Sequence, residues 1–278
     1  MIKEIIDALT NIKLDIIRKC VSNLTKDSSI YCSQRVDNLF NHVVFGGKYE
    51  RSQLLISTYK ALDRDASSKR ILEVTKVAAC LEICQAFLLT IDDIMDDSIK
   101  RRGKNCWHTL PSIGLNACND AILLDCIVHD VLNDALVQDC ENFLEILFTV
   151  NLIYIIELHF RYRDIVNNKT SYYSFYSPIK IACLLADQPL VPSQWKSLAF
   201  KSGYLFQAQD DYIDCFGESI ITGKIGSDLR EGKCTWIICK ALDQTVSRPD
   251  IRRTLTVCCD YIFFIIILKL IAIIKIFL

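Results

Sequence analysis

Thr90–Gly103 reads TIDDIMDDSIKRRG. Four aspartates fall between positions 92 and 97, and two arginines follow at 101 and 102. The stretch that leads into them, Ser68–Asp97, contains neither Gly nor Pro and predicts one helix of about 45 Å at about 1.5 Å per residue. On such a helix Asp92 and Asp96 share one face, and Asp93 and Asp97 share the next. Like charges four apart repel and weaken a helix. A single cluster of this kind reads as a solvated face. The pattern recurs, however, in QDDYID, where Asp210 and Asp214 stand four apart with Asp211 beside them. Each cluster follows an apolar run, AFLLTI in one case and GYLFQAQ in the other. Carboxylates in such surroundings are costly to desolvate without cations. Mg²⁺ takes oxygen ligands, keeps several waters and bridges carboxylates to a substrate phosphate. Two clusters facing each other across a cavity would hold several Mg²⁺ ions and a diphosphate between them. Arg101, Arg102 and Lys224 then serve as further diphosphate contacts.

The rest of the chain frames this reading. Its 278 residues are 51% apolar and 23% charged, with only 9 Gly and 5 Pro. Few turn residues favour long helices, and Trp195–Gly217 supplies a second one, stopped by Gly217. No strand alternation of any length is visible, and no Pro- or Ser-rich linker divides the chain. An all-α single domain follows. The net charge of −1 comes with no basic stripe, which excludes nucleic acid as a partner. The amino-terminal twenty residues read as an amphipathic helix rather than a signal sequence. Fourteen cysteines without a Cys-x-x-Cys read as buried thiols of a cytoplasmic protein. The end, Tyr261–Leu278 (YIFFIIILKLIAIIKIFL), is apolar on every face. It admits three readings: translated non-coding sequence, a buried terminal helix or a membrane anchor of marginal length.

With both clusters in view, the chain resembles the short-chain trans-isoprenyl diphosphate synthases, of the farnesyl diphosphate synthase type. The matching stretches are DDIMDDSIKRRGKNCWH, FQAQDDYIDCFGESIITGKIGSDLREGKCTW, GGKYER, QAFLLTIDD and NKTSYYSFYSP, within about Leu39–Trp236. The resemblance implies a helical bundle around a central cavity, a polyprenyl synthetase-like domain over 1–256 and an Ile-rich segment of uncertain origin over 257–278. It makes Asp92, Asp96 and Asp210 the principal metal ligands, supported by Asp93, Asp211 and Asp214, for about three Mg²⁺ ions bridged by the substrate diphosphate. Arg101, Lys169 and Lys224 correspond to residues that bind the allylic diphosphate. Lys48, Arg51, Gln85 and Arg102 correspond to the site for isopentenyl diphosphate. Thr170 and Gln207 correspond to the polar groups that face the developing carbocation. Phe87 and Leu88, five and four positions before Asp92, would set product length. One aromatic and one leucine there fit a geranyl or farnesyl product, with a product one unit longer left open. The departing diphosphate would take the proton, so His108, His129 and His159 have no catalytic part. The family is usually homodimeric.

Two departures from the family pattern stand out. After FLEILFTVNLIYIIELHF the family carries a Gly-Gln-x-x-Asp segment that faces the metals, whereas this chain passes from Glu157 to RYRDIVNNKT. Asp92 and Asp210 lie 118 positions apart, short of the family spacing by roughly six helical turns. The other departure is the Ile-rich end. Reduced activity follows as an expectation. Two alternatives to condensation stay open: a terpene synthase that ionises a prenyl diphosphate, and a non-catalytic relative. The presence of Lys48, Arg51 and Arg102 favours prenyl transfer, since ionisation alone needs no second diphosphate site.

Overall fold

The computed structural model describes residues 1–22, 24–135, 162–188, 191–217, 228, 233–244, 246–247, 249–250 and 253. These residues are almost wholly helical. The first helix, α1 (Ile2–Val21), buries Ile5, Ala8, Leu9, Ile12 and Ile16, the three- and four-residue spacing of one apolar face. It lies against α2 (Lys26–Leu39) and α4 (Ser68–Met95). The chain of α2 continues through a wider π-helical turn, Phe40–Val44. The Gly46–Tyr49 turn follows, with Gly46 at φ 89° and Tyr49 at φ 56°. It opens α3 (Glu50–Leu62).

The central element is α4. Ser67 caps it by accepting a bond from the Arg70 amide. An unbroken run from Val77 to Ala86 is buried, so this helix has no solvent face in its middle and packs on α1, α3 and α5 (Asn116–Ala135). It alone among the described helices is long and apolar enough to cross a membrane, yet 78% of that window is buried inside the protein. All-round burial is the mark of a core helix. Its buried Glu82 is not left bare: the Ser52 hydroxyl donates to it at 2.7 Å and the Ser52 amide at 3.3 Å, which ties α3 to α4.

The expected long helices are present, with one change that bears on the site. The first ends at Met95 rather than Asp97, and Asp97 adopts φ 48°. Asp93 and Asp97 therefore do not form a pair on a helix face. The chain then makes a small antiparallel ribbon, β1 (Lys100–Arg101) with β2 (Lys104–Asn105), which no sequence alternation announced. Its two turn residues, Arg102 at φ 52° and Gly103 at φ 75°, give the double-positive-φ turn that matches strand twist. Beyond α5, the described chain resumes with α6 (Tyr162–Val166), a π-helical stretch (Asn167–Tyr176) and α7 (Ser177–Leu185). The last two described helices are α8 (Ser193–Phe216) and α9 (Trp236–Gln244).

The second long helix, α8, differs from expectation in its surroundings. It buries Ala199, Gly203, Asp211 and Asp214. Leu205 is 70% exposed, and Phe206, Tyr212 and Phe216 are exposed as well. The apolar residues that flank the second cluster thus lie largely on the surface, while two of its aspartates point inward. The Ile-rich segment and His159 lie outside the described residues, as does the chain from Glu157 to Arg161.

Candidate active site

The end of α4 presents the first aspartates. The helix closes through the Asp96 amide, which donates to the Asp92 carbonyl at 2.9 Å, and the Ser98 amide donates to the Asp93 carbonyl at 2.9 Å. Asp93 is buried, Asp92 and Asp96 are half-buried and Asp97 is exposed. The ribbon returns Arg101 to this spot: its Nε donates to Asp93 Oδ1 at 2.5 Å, and its guanidinium lies 4.0 Å from Asp92 Oδ2. Burial works against the Arg101 charge, and Asp93 more than offsets it, leaving the guanidinium held above its ordinary value. The sign reversal in the sequence is thus a local pairing, carboxylates at a helix end answered by an arginine one short turn later.

The second cluster sits on α8, built against the π-helical stretch. Gly203 allows this approach, because a Cβ there would lie 2.4 Å from the Ser171 Cα. The contact sets Thr170 beside α8, where its hydroxyl donates to Gln207 Oε1 at 2.5 Å, and Gln207 Nε2 donates to Asp211 Oδ1 at 2.8 Å. Asp211 also accepts from the Trp236 amide at the start of α9, at 2.7 Å. Asp214 accepts from the Asp228 amide at 3.0 Å. Asp210 is half-buried beside these two. Tyr162 of α6 is near enough to feel them: burial, then the negative Asp211, pushes its phenol up.

A chain of contacts joins the clusters. Lys233 Nζ lies 2.5 Å from Asp96 Oδ2 in the first and 3.3 Å from Asp228 Oδ1, and the Asp228 amide holds Asp214 in the second. Sequence reasoning missed both Lys233 and Asp228, although each stands inside the quoted motif GKIGSDLREGKCTW. The lone signal was position: a lysine two residues before a capping Thr and an aspartate following a Gly-Ser pair. Lys169 is half-buried on the π-helical stretch. Lys224 lies outside the described residues.

Beside Arg101 a set of cations converges. Arg102, held in the left-handed region, lies over Gly47, where a Cβ would stand 3.3 Å from its terminal nitrogen. Burial pushes the Arg102 guanidinium down, and the positive Arg101 and Arg51 push it further. Arg51 stacks 4.8 Å from the centre of the Tyr173 ring and donates to the Ser174 hydroxyl at 2.8 Å. Among the described residues, its Nε and the Gln85 Oε1 are buried without a hydrogen-bond partner. Lys48 is exposed on the same turn. Arg101, Arg102, Asp93 and Thr90 line a cavity of about 80 Å³ with Gly46 and Trp107. Leu88 is buried in the core and Phe87 is half-buried against it. Neither lines this cavity.

Among the described residues no three His, Cys, Asp or Glu side chains converge closely enough to hold a cation by themselves. The donors offered at the clusters are all hard carboxylate oxygens, several of them half-buried, which suits Mg²⁺ and not a soft metal. An ion held by one or two of them must complete its shell with water or phosphate oxygens, so the residues fit a metal that arrives with a phosphorylated ligand. Of the histidines, His42 lines the cavity of Arg101 and Arg102, and exposed His129 lies 3.8 Å from Asp125 on α5.

Comparison with known proteins bears on the family and the fold. The Polyprenyl synthetase family model matches residues 33–257. The farnesyl pyrophosphate synthase of Gallus gallus is 34% identical over 247 residues, which cover 80% of this chain and 66% of that protein. Farnesyl pyrophosphate synthase 2 of Arabidopsis thaliana is 33% identical over 261 residues, covering 83% of this chain and 75% of the relative. The chain thus spans only 66% of the length of the chicken protein and of the mitochondrial farnesyl pyrophosphate synthase 1 of A. thaliana. In overall fold it superposes on T. brucei farnesyl diphosphate synthase complexed with minodronate with a TM-score of 0.79, at 21% identity, over 92% of this chain and 81% of that one. The fold is all-α, as the sequence implied. With the family model matched over most of its length, the chain belongs to the polyprenyl synthetase family.

Proposed function

We propose that this chain joins isopentenyl diphosphate to an allylic prenyl diphosphate, dimethylallyl or geranyl, with Mg²⁺, giving geranyl or farnesyl diphosphate. The observation that carries the reading is a pair of opposite charge clusters beside the end of α4: aspartates joined to α8 through Lys233 and Asp228, and the converged Arg51, Arg101 and Arg102. A polyanion and its counter-cations need both. One diphosphate would lie between the aspartate clusters with its metals, and a second over the Gly46–Gly47 turn against Arg102 and Lys48.

Each group of residues has a task in this reaction. Asp92, Asp96 and Asp210 would hold the metal ions, with Asp93, Asp211 and Asp214 fixed by Arg101, Gln207 and backbone amides so that the shell is pre-set. Bound Mg²⁺ supplies charge stabilisation for the departing diphosphate. Lys233 and Lys169 add positive charge at the same leaving group. Thr170 and Gln207 turn oxygen atoms toward the allylic carbon, where partial negative charge favours a developing cation. Arg102 and Lys48 orient the second substrate so that its double bond approaches that carbon. Burial of the α4 wall keeps water from trapping the cation. The released diphosphate accepts the final proton, so no side chain is required as a base.

The test is incubation with labelled isopentenyl diphosphate, geranyl or dimethylallyl diphosphate and Mg²⁺, followed by product chromatography. A labelled prenyl diphosphate one unit longer is the expected result. Release of diphosphate from the allylic substrate without label in the product would replace condensation with ionisation. Absence of both would overturn the catalytic reading.

A further inference from the structure

The start of α9 carries two cysteines in a position no catalytic step uses. Thr235 caps this helix: its carbonyl accepts from the Cys239 amide at 3.0 Å and its hydroxyl from the Ile238 amide at 3.3 Å. Cys234 then precedes the cap, and Cys239 is the fourth residue of the helix. These are the two positions at which side chains meet across a helix start, ordinarily as an apolar staple. Here the meeting groups are thiols, with Sγ atoms 3.7 Å apart. Cys234 is exposed and Cys239 half-buried.

We propose that Cys234 and Cys239 form a redox modification site, which hydrogen peroxide converts to a disulfide that covalently staples the start of α9. The sulfurs must close from 3.7 Å to about 2.05 Å, a small movement for the exposed segment before the cap. The chemistry balances in two steps. The Cys239 thiolate attacks the peroxide, taking one oxygen to become a sulfenic acid and releasing water. The Cys234 sulfur then attacks the Cys239 sulfur, forming the S–S bond and releasing a second water, so two thiols are oxidised and one peroxide reduced. The order follows from environment: the hydrogen bond from Cys234 holds the Cys239 thiol below its ordinary value, with burial opposing. Such a thiol is the better nucleophile. Other described cysteines offer a contrast, since burial pushes Cys84 and Cys106 up to about 12.

The site is coupled to the aspartate clusters by its neighbours. Lys233, next to Cys234, contacts Asp96 and Asp228. Trp236, between the two cysteines, donates its amide to Asp211. Drawing Cys234 toward Cys239 moves the segment that carries both contacts, so oxidation alters the metal–diphosphate site without touching it.

The reduced protein is treated with stoichiometric hydrogen peroxide, alkylated and digested with trypsin. The peptide Cys234–Lys240 holds both cysteines. The expected product is this peptide lacking two hydrogens and resistant to alkylation until reduced. A peptide that stays fully alkylated, or cysteines joined to other partners, would overturn the proposal. The second measurement rests on the diphosphate reading: titration of inorganic diphosphate with Mg²⁺ into reduced and oxidised protein. Oxidation should change the affinity severalfold, reversibly with dithiothreitol, in the unaltered protein and not in Cys239→Ser. An equal change in Cys239→Ser would refute the coupling. Absence of binding in the reduced protein would count against the diphosphate site, leaving the peptide result to decide the disulfide.

Discussion

Gly203→Ala tests how Thr170 and Gln207, the polar pair proposed to face the allylic carbon, are placed. The substitution acts in two opposite directions. Alanine in a helix interior is favoured over glycine by about 1 kcal/mol. Against this, the new Cβ would lie 2.4 Å from the Ser171 Cα and 2.6 Å from its Cβ. A backbone atom cannot rotate away, and Ser171 is fully buried. Separating the atoms to ordinary contact requires α8 and the π-helical stretch to part by about 1 Å, an overpacking that costs about 1–3 kcal/mol, near the upper end here. The packing term wins, and a net loss of about 1–2 kcal/mol follows, or a fall of roughly 2–8 °C in Tm for a chain of this size. The same separation stretches the Thr170–Gln207 bond, now 2.5 Å. A displacement of about 1 Å near the reacting centre costs about 100-fold in rate. The assay pairs thermal unfolding with condensation rates at a temperature where both proteins remain folded. Ser202→Ala, one position earlier on α8, serves as the control for helix propensity. If Gly203→Ala raises Tm, propensity has prevailed and the close approach of Ser171 is wrong.

Other substitutions probe the charged groups and the product wall. Asp92→Ala and Asp210→Ala should each abolish measurable condensation, because each removes a carboxylate proposed to hold the metal; a wild-type rate in either would return that cluster to a solvated surface. Arg102→Ala should raise KM for isopentenyl diphosphate at least tenfold, the loss of one charge-assisted contact of about 1.5–3 kcal/mol, while sparing the allylic substrate; equal effects on both would refute the division of the arginines. Phe87→Ala should shift chromatographic product profiles toward longer chains, since it removes a half-buried ring one turn before Asp92; an unchanged profile would take Phe87 off the product wall.

Much of the architecture was legible because it is periodic or unbroken. The 3–4 spacing of Ile5, Leu9, Ile12 and Ile16 declares α1, the absence of Gly and Pro declares α4, and Gly217 marks the end of α8. Helix ends were less legible: that Asp97 leaves the helix depends on the ribbon that brings Arg101 back to Asp93, a contact set by the Arg102–Gly103 turn. The π-helical stretches were not legible, since a wider turn leaves no apolar period to count. At the site, repeated aspartates revealed their own chemistry through charge that demands compensation. Lys233 did not, because its partner Asp96 lies 137 positions away and a single lysine in sequence is indistinguishable from a solvated one. Gly203 was hidden for a related reason: a glycine inside a helical pattern signals close packing only once its neighbour is known.

Placing both aspartate clusters at helix ends gives the proposed function its physical logic. Each stands in the last turns of its helix, α4 ending at Met95 and α8 at Phe216. Aligned peptide dipoles give that end about half a unit of negative charge, so carboxylates there are disfavoured twice. The protein answers with specific positive groups. Arg101 meets Asp93, Lys233 meets Asp96, and backbone amides from Trp236 and Asp228 meet Asp211 and Asp214. These contacts fix the inner carboxylates Asp93, Asp211 and Asp214, and would leave Asp92, Asp96 and Asp210, all half-buried, to face added cations. Beside Arg101 the imbalance has the reverse sign, where burial first and then the positive charges of Arg101 and Arg51 push Arg102 down. One cation would relieve the first imbalance and worsen the second, and one anion would do the converse. Divalent metal bound together with phosphate relieves both, and the reaction that releases diphosphate from such a pair is the one proposed here.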